Sequence, residues 1–438
     1  MRGEGMSNDV HQRSSTIGGV SAEELVNTYG TPLYAYDTTV IRNKAHAFID
    51  AFKEEEIDFQ VAYASKAFST VAMVQLAEQL GLSLDVVSGG ELYTAKKAGF
   101  PMEKVHFHGN NKSLEEIQEA IELGIGCFVV DNFHELSLLS NESKRQGKVA
   151  PVLLRVTPGV EAHTHAYIST GQEDSKFGFD LQAGQAKRAA VDVLEDDSLH
   201  LLGLHCHIGS QIFETDGFIE AIDVLYTHLQ NWKQTLSFEA EVVNTGGGFG
   251  IRYTEDDQPL DPSVFVKTIV KAVKDASERS GMAIPEIWIE PGRSIVGEAG
   301  STIYTIGSEK VIENVRHYIS VDGGMSDNIR PALYDAKYDA ALAYQSIPDK
   351  EQVTYAIAGK ACESGDMLID AITLPKAKSG DLLIVYSTGA YGYSMASNYN
   401  RLAKPAVVFV EDGKHQLVVK RETYDDLLKN DLPLQSLE

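Results

Sequence analysis

Read as a pattern of apolar and polar positions, the chain changes texture near residue 297. Before that point short apolar runs alternate with stretches whose apolar positions recur every three or four residues. The runs at 59–64, 83–87, 105–107, 127–130, 152–156, 201–207, 241–245 and 287–290 read as strands. A strand buried on both faces is a brief apolar run bounded by turn residues. The segments 69–80, 89–98, 113–123 and 132–146 between them carry the helical period. Eight such units in roughly 250 residues predict an α/β fold, a (β/α)8 barrel of the TIM type. A doubly wound open sheet is the structural alternative. Beyond residue 297 the runs at 301–311, 317–321, 353–358, 381–385, 406–410 and 416–421 recur without long helices between them. That pattern predicts an antiparallel β domain. An early run, 31–37, entered through Pro32, is a candidate further strand of it. The expected division is therefore 1–37 as tail and joining strand, 38–297 as barrel, and 298–438 as the C-terminal β domain.

Composition narrows the function classes. The 438 residues carry 38 Lys+Arg against 63 Asp+Glu, a formal charge of -25. An acidic chain lacks the basic patches that nucleic acid or an anionic membrane surface requires, so neither is an expected partner. No stretch approaches the roughly 20 apolar residues of a membrane span. The polar segment 1–16 holds no apolar run of signal-peptide length, and Met6 offers a second start. Cys127, Cys206 and Cys362 form no C-x-x-C pair. This argues against a disulfide framework or a structural zinc site and for a reducing compartment, the cytoplasm.

Barrel active sites lie at the C-terminal ends of the strands. The polar residues expected there are Lys66, Asp85, Arg155, His205, His207, the glycines from Gly246 to Gly250, Glu290 and Arg293. A partly desolvated lysine at Lys66 can form a Schiff base, although most strand-end lysines are simply solvated. Strand alternation puts His205 and His207 on one face and Cys206 on the other. Two readings of the pair stand side by side, an H-x-H metal site or an aromatic surface against a planar cofactor. The run Asn244 to Tyr253, NTGGGFGIRY, lets backbone N–H groups approach an anion, yet it fits neither the dinucleotide nor the Walker spacing. Glu290 could hold a proton on a heterocyclic nitrogen, and Arg293, beyond a Pro-Gly turn, could clamp a phosphate or carboxylate. In the β domain, CESGD places Cys362 and Glu363 in a loop, Arg330 and Tyr334 stand four residues apart, and Tyr391 sits in a Gly-flanked turn.

The motifs YASKAFS, HTHAYISTGQEDSKFGF, GLHCHIGSQ, NTGGGFGIRY, IEPGRSIVG, VDGGMSDNIRPALYDA, GKACESGD and TGAYGYSM follow in this order. Together they closely resemble the diaminopimelate decarboxylase family, pyridoxal-phosphate enzymes of the alanine-racemase-like fold. The resemblance runs from about Thr31 to the C-terminus, with small departures at Phe68 and Thr157. It implies pyridoxal 5'-phosphate as cofactor, carried by Lys66. It implies that His207 stacks on the ring, that Glu290 faces the pyridine nitrogen, and that Ser210, Gly246, Gly247, Gly248, Gly292 and Arg293 hold the phosphate. Asp85 and Tyr391 join the cofactor-binding set. Arg293, Arg330 and Tyr334 would grip substrate carboxylates, Glu363 the distal ammonium, and Cys362 would donate a proton. The Cys362 loop would complete the other protomer's site in a homodimer. The implied reaction is decarboxylation of meso-2,6-diaminopimelate to L-lysine and CO2.

Three rivals remain at this point. A decarboxylase of ornithine, arginine or carboxynorspermidine shares the lysine, histidine and glycine elements, but Arg330 with Glu363 suits a distal end bearing both charges. An H-x-H metallohydrolase would use His205 and His207 as ligands. A non-catalytic pyridoxal-phosphate-binding homologue is expected to have lost catalytic residues, whereas Lys66, Cys362 and Glu363 are all present.

Overall fold

The eight apolar runs become eight parallel strands. In the computed structural model, which describes residues 15–160, 175–343 and 351–435, they are Phe59–Ala64, Ser83–Val86, Val105–Phe107, Cys127–Val130, Ala150–Thr157, Leu199–His205, Val242–Asn244 and Glu286–Ile289. Each pairs with the next in chain order, and Glu286–Ile289 pairs back with Phe59–Ala64, closing the barrel. Closure leaves no edge strand exposed. A short strand, Phe179–Asp180, is added beside the end of Ala150–Thr157. Inside, Cys127, Val129, Leu153, Val242 and Trp288 pack as one cluster, and His106 stacks on Trp288 with ring centroids 4.3 Å apart.

The helices Val71–Gln79, Gly89–Ala98, Leu114–Leu123 and Phe133–Gln146 fill the predicted positions. Their starts are specified locally. Thr70, Ser88, Ser113 and Asn132 each accept a backbone N–H from the first turn, as N-cap residues do. One device at the strand ends escaped the sequence reading. Buried Lys112 donates to Glu135 Oε1 at 2.7 Å and to the carbonyls of Gly109 and Val129 at 2.9 and 3.0 Å. It fixes the turn that follows His108.

The chain divides into two units. Val40–Glu298 forms the barrel unit, and the segments before Val40 and from Ala299 onward form the other. In the second unit Leu33–Asp37 lies between Gly300–Ile312 and Ala406–Glu411. The early strand is therefore part of this sheet. The sheet is mixed rather than purely antiparallel. Leu33–Asp37 runs parallel to Ala406–Glu411, and Arg316–Val321 parallel to Gln352–Ala358. Two strands of this sheet were not anticipated, Ala340–Leu342 and Met367–Pro375, nor was the separate pair Thr16–Ile17 and Val20–Ser21.

Candidate active site

Strand register sets the barrel's polar ring. Asp85 is paired in register with Ala64 on one side and His106 on the other. His205 is paired with Arg155 and with Asn244, and Asn244 with Trp288. One residue past its strand, Glu290 donates its backbone N–H to the Gly246 carbonyl at 2.9 Å. That places its side chain among those of the neighbouring strand ends. Its Oε1 accepts from Asn244 Nδ2 at 2.6 Å, and its Oε2 lies 3.0 Å from His205 Nε2. His108 Nε2 lies 3.2 Å from Glu290 and 3.5 Å from Asp85.

Charge follows from these contacts. Burial pushes the Glu290 carboxyl up, but the imidazoles of His205 and His108 outweigh it and bring the group well below the ordinary range. Burial opposes charge on His108, yet Glu290 and Asp85 raise it to about 9. His205 is lowered, chiefly by burial, and is neutral. His207 is held well below its ordinary value by burial, with Lys66 and Arg155 adding to the effect. Burial raises Cys206 to about 12, which makes it an inert thiol.

The strand reaches only to His205, so His207 lies in the following loop and the expected shared face does not extend to it. His207 Nδ1 instead accepts the Gly247 N–H at 3.3 Å. Lys66 lies in the 3-10 turn Ser65–Ala67, exposed, directly after its strand. The Pro291-Gly292 turn backs this segment. A Cβ on Gly292 would lie 3.0 Å from the Ala64 Cβ. The glycine run is sterically obligatory. A Cβ on Gly247 would meet the Glu290 carbonyl oxygen at 2.0 Å, and one on Gly248 the Gly209 carbonyl oxygen at 2.3 Å. The Gly246 N–H is taken by Asn244 Oδ1 at 2.9 Å. The Arg293 guanidinium donates to Ser210 Oγ at 2.9 Å and to the Tyr253 hydroxyl. Ser210, accepting from Arg293, keeps its own proton to donate.

In the second unit Arg330 is buried and donates to Tyr338 at 2.6 Å. Tyr334, four residues further on, is 44% exposed. Cys362 and Glu363 are exposed on a loop clasped by Asp366, which accepts the Met325 and Ala361 N–H groups at 2.6 and 2.7 Å. The Cys362 N–H is held by Asn400 Oδ1 at 2.7 Å. Tyr391 adopts φ 59°, in the left-handed region. His163, His165 and most of the loop expected at 168–176 lie outside the described residues.

Sequence reasoning missed His106 and His108, Asn244, Tyr253 and Tyr338 as members of these clusters. A signal for the two histidines was present. VHFH at a strand end repeats the H-x-H spacing of LHCH.

Residues 39–297 match the family described as pyridoxal-dependent decarboxylase, pyridoxal binding domain, which sets the class. A diaminopimelate decarboxylase of Bacillus subtilis is 61% identical over 420 residues, covering 96% of this chain and 95% of the relative. One from Staphylococcus aureus is 48% identical and covers 95% of this chain and 97% of its own. The crystal structure of diaminopimelate decarboxylase from M. jannaschii in complex with L-lysine superimposes with a TM-score of 0.89 at 37% identity, covering 94% of this chain and 95% of that one. The chain belongs to the diaminopimelate decarboxylase family.

The barrel-unit residues fit the cofactor that the class implies. An exposed amine, a bare glycine backbone, a hydroxyl donor beside a guanidinium and a buried carboxylate suit a planar aldehyde bearing a phosphate. Among the described residues no helix is long and apolar enough to cross a membrane.

Proposed function

We propose that this chain decarboxylates meso-2,6-diaminopimelate to L-lysine and CO2, the last step of lysine biosynthesis, using pyridoxal 5'-phosphate. The observation that carries the reading is 61% identity to a diaminopimelate decarboxylase over nearly the whole chain, with the expected amine, acid and glycine positions all filled. When bound, the cofactor supplies an electron sink for the carbon that loses CO2.

The chain's own groups do the rest. Lys66 would hold the cofactor through its amine. Ser210, Gly247, Gly248, Gly292 and Arg293 would hold the phosphate, with Arg293 also available to a substrate carboxylate. His207 would pack on the ring, Asp85 and Tyr391 would join the cofactor-binding set, and Glu290 would favour a protonated ring nitrogen by placing opposite charge beside it. Arg330 and Tyr334 take the distal carboxylate and Glu363 the distal ammonium, which together select diaminopimelate over a simple diamine acid. Cys362 returns a proton to the α-carbon. In the homodimer we propose, the Cys362 loop serves the other protomer. We place the enzyme in the cytoplasm, where such a thiol stays reduced.

The test is a visible absorption spectrum of the purified protein supplied with pyridoxal phosphate, then meso-diaminopimelate. A visible band that borohydride abolishes, leaving the cofactor fixed on Lys66, followed by release of CO2 and lysine, is the expected result. Lys66→Ala should keep its fold, lose covalent capture and drop turnover by at least about 10³-fold. A protein that stays colourless with the cofactor present overturns the reading. A band without turnover moves the substrate to another basic amino acid.

A further inference from the structure

Glu290 is clamped from three other strand ends. Its Oε2 faces His205 Nε2 at 3.0 Å, its Oε1 faces Asn244 Nδ2 at 2.6 Å, and His108 Nε2 stands 3.2 Å from Oε1. Glu290 is 9% exposed, His205 1%, His108 7% and Asn244 0%. A carboxylate only accepts, so the His205 nitrogen facing it carries the proton. The other ring nitrogen of His205, Nδ1, is buried with no hydrogen-bond partner among the described residues. A second proton there would be a buried donor with no acceptor, so this ring is uncharged. His108 stands differently. Its Nε2 lies between two carboxylates, 3.2 Å from Glu290 and 3.5 Å from Asp85, off the line of a hydrogen bond to either. A charged ring shared by two acids is what that position favours. Arg155, His207, Cys127 and Cys206 also feel the Glu290 charge.

We propose that His205 and His108 are positioning residues that keep Glu290 ionised and in one orientation at the floor of the cofactor site, His205 as a neutral Nε2–H donor and His108 as a cation shared with Asp85. The proposal rests on the reading above in that Glu290 is taken to face the cofactor's ring nitrogen. Without these partners a carboxyl this deeply buried takes up a proton, and the opposite charge beneath the ring is lost.

The test compares His205→Phe, which keeps a ring but no donor, with His205→Gln, which keeps a donor. At the second position it compares His108→Leu with His108→Lys, which keeps the charge. The first readout is infrared detection of a protonated carboxyl in cofactor-free protein at pH 7, assigned to Glu290 by its loss when Glu290→Gln is added. The second is affinity for pyridoxal phosphate. His205→Phe and His108→Leu should show the protonated carboxyl and bind the cofactor about 10-fold or more weakly, the usual size of an outer-shell loss. His205→Gln and His108→Lys should restore both. Equal behaviour of Phe and Gln, with Glu290 ionised throughout, overturns the proposal. So does uptake of one zinc ion per chain that His205→Gln abolishes, because His108, His205 and Glu290 would then be a ligand set. If the parent protein does not capture pyridoxal phosphate, the function falls, while the infrared result still decides the charge of Glu290.

Discussion

At the scale of single residues, similar side chains are sorted into different tasks by burial and partner. Three cysteines differ sharply in this way. Cys127 and Cys206 are buried and Cys362 is exposed, so only the last can meet a substrate. Glu135 and Glu363 differ likewise. Glu135 is buried and committed to Lys112. Glu363 is exposed, and among the described residues its carboxylate accepts only a long contact from the Gly365 N–H at 3.4 Å. A carboxylate so weakly engaged at home is available to a ligand ammonium. Glu363→Gln should therefore lower kcat/KM for diaminopimelate by about 10-fold or more, with cofactor affinity unchanged. Steady-state kinetics beside a cofactor titration checks this. Unaltered substrate kinetics would remove Glu363 from specificity.

At the scale of elements, the glycine loop is the part that tolerates least. Gly247 backs onto the Glu290 carbonyl, where a Cβ would sit 2.0 Å from oxygen. Gly247→Ala must push the loop away from the strand end that carries Glu290. Cofactor affinity should fall by about 100-fold and melting temperature by several degrees, on the scale of an overpacked core site. Titration with pyridoxal phosphate and a thermal melt read both effects. The eight barrel strands were legible because each is a short apolar run closed by turn residues. Ala340–Leu342 and Met367–Pro375 were not. The first is only three residues long, and the second alternates irregularly between buried and exposed, with Asp370 in its midst. Candidate site residues could be picked out where a motif names its own chemistry, as at Lys66 and Glu290. It was hidden where the partner comes from a distant segment. Arg330 takes the phenol of Tyr338, and Arg293 that of Tyr253. Spacing along the chain reports only neighbours on one element, whereas those pairings are made by loops.

At the scale of the whole molecule, buried groups of opposite behaviour shape stability against pH. Burial raises Asp327 to about 7, with Asp322 and Asp366 adding to it and the Gly324 N–H and Ser326 opposing. In the folded chain Asp327 therefore keeps a proton that the unfolded chain has released. Its contribution is complete below the unfolded value near 4 and is lost as pH rises through about 7. His108, raised to about 9, contributes fully below about 6.5 and fades toward 9. Glu290 works in the other direction, since its depressed value gives stability above the ordinary carboxylate range that is lost in acid. The charge of -25 adds self-repulsion as pH rises, but it acts on any variant alike. Asp327→Asn isolates one contribution. The amide oxygen can still accept the Gly324 N–H, made at 2.9 Å by Oδ2, and the volume is unchanged. At pH 4 parent and variant should unfold at the same urea concentration. By pH 8 the parent must bury a charge that the variant lacks, and the variant should be the more stable by a few kcal/mol. Urea midpoints at half-unit steps from pH 4 to 8 test this. Two parallel curves would mean that Asp327 ionises in the fold as freely as in the unfolded chain.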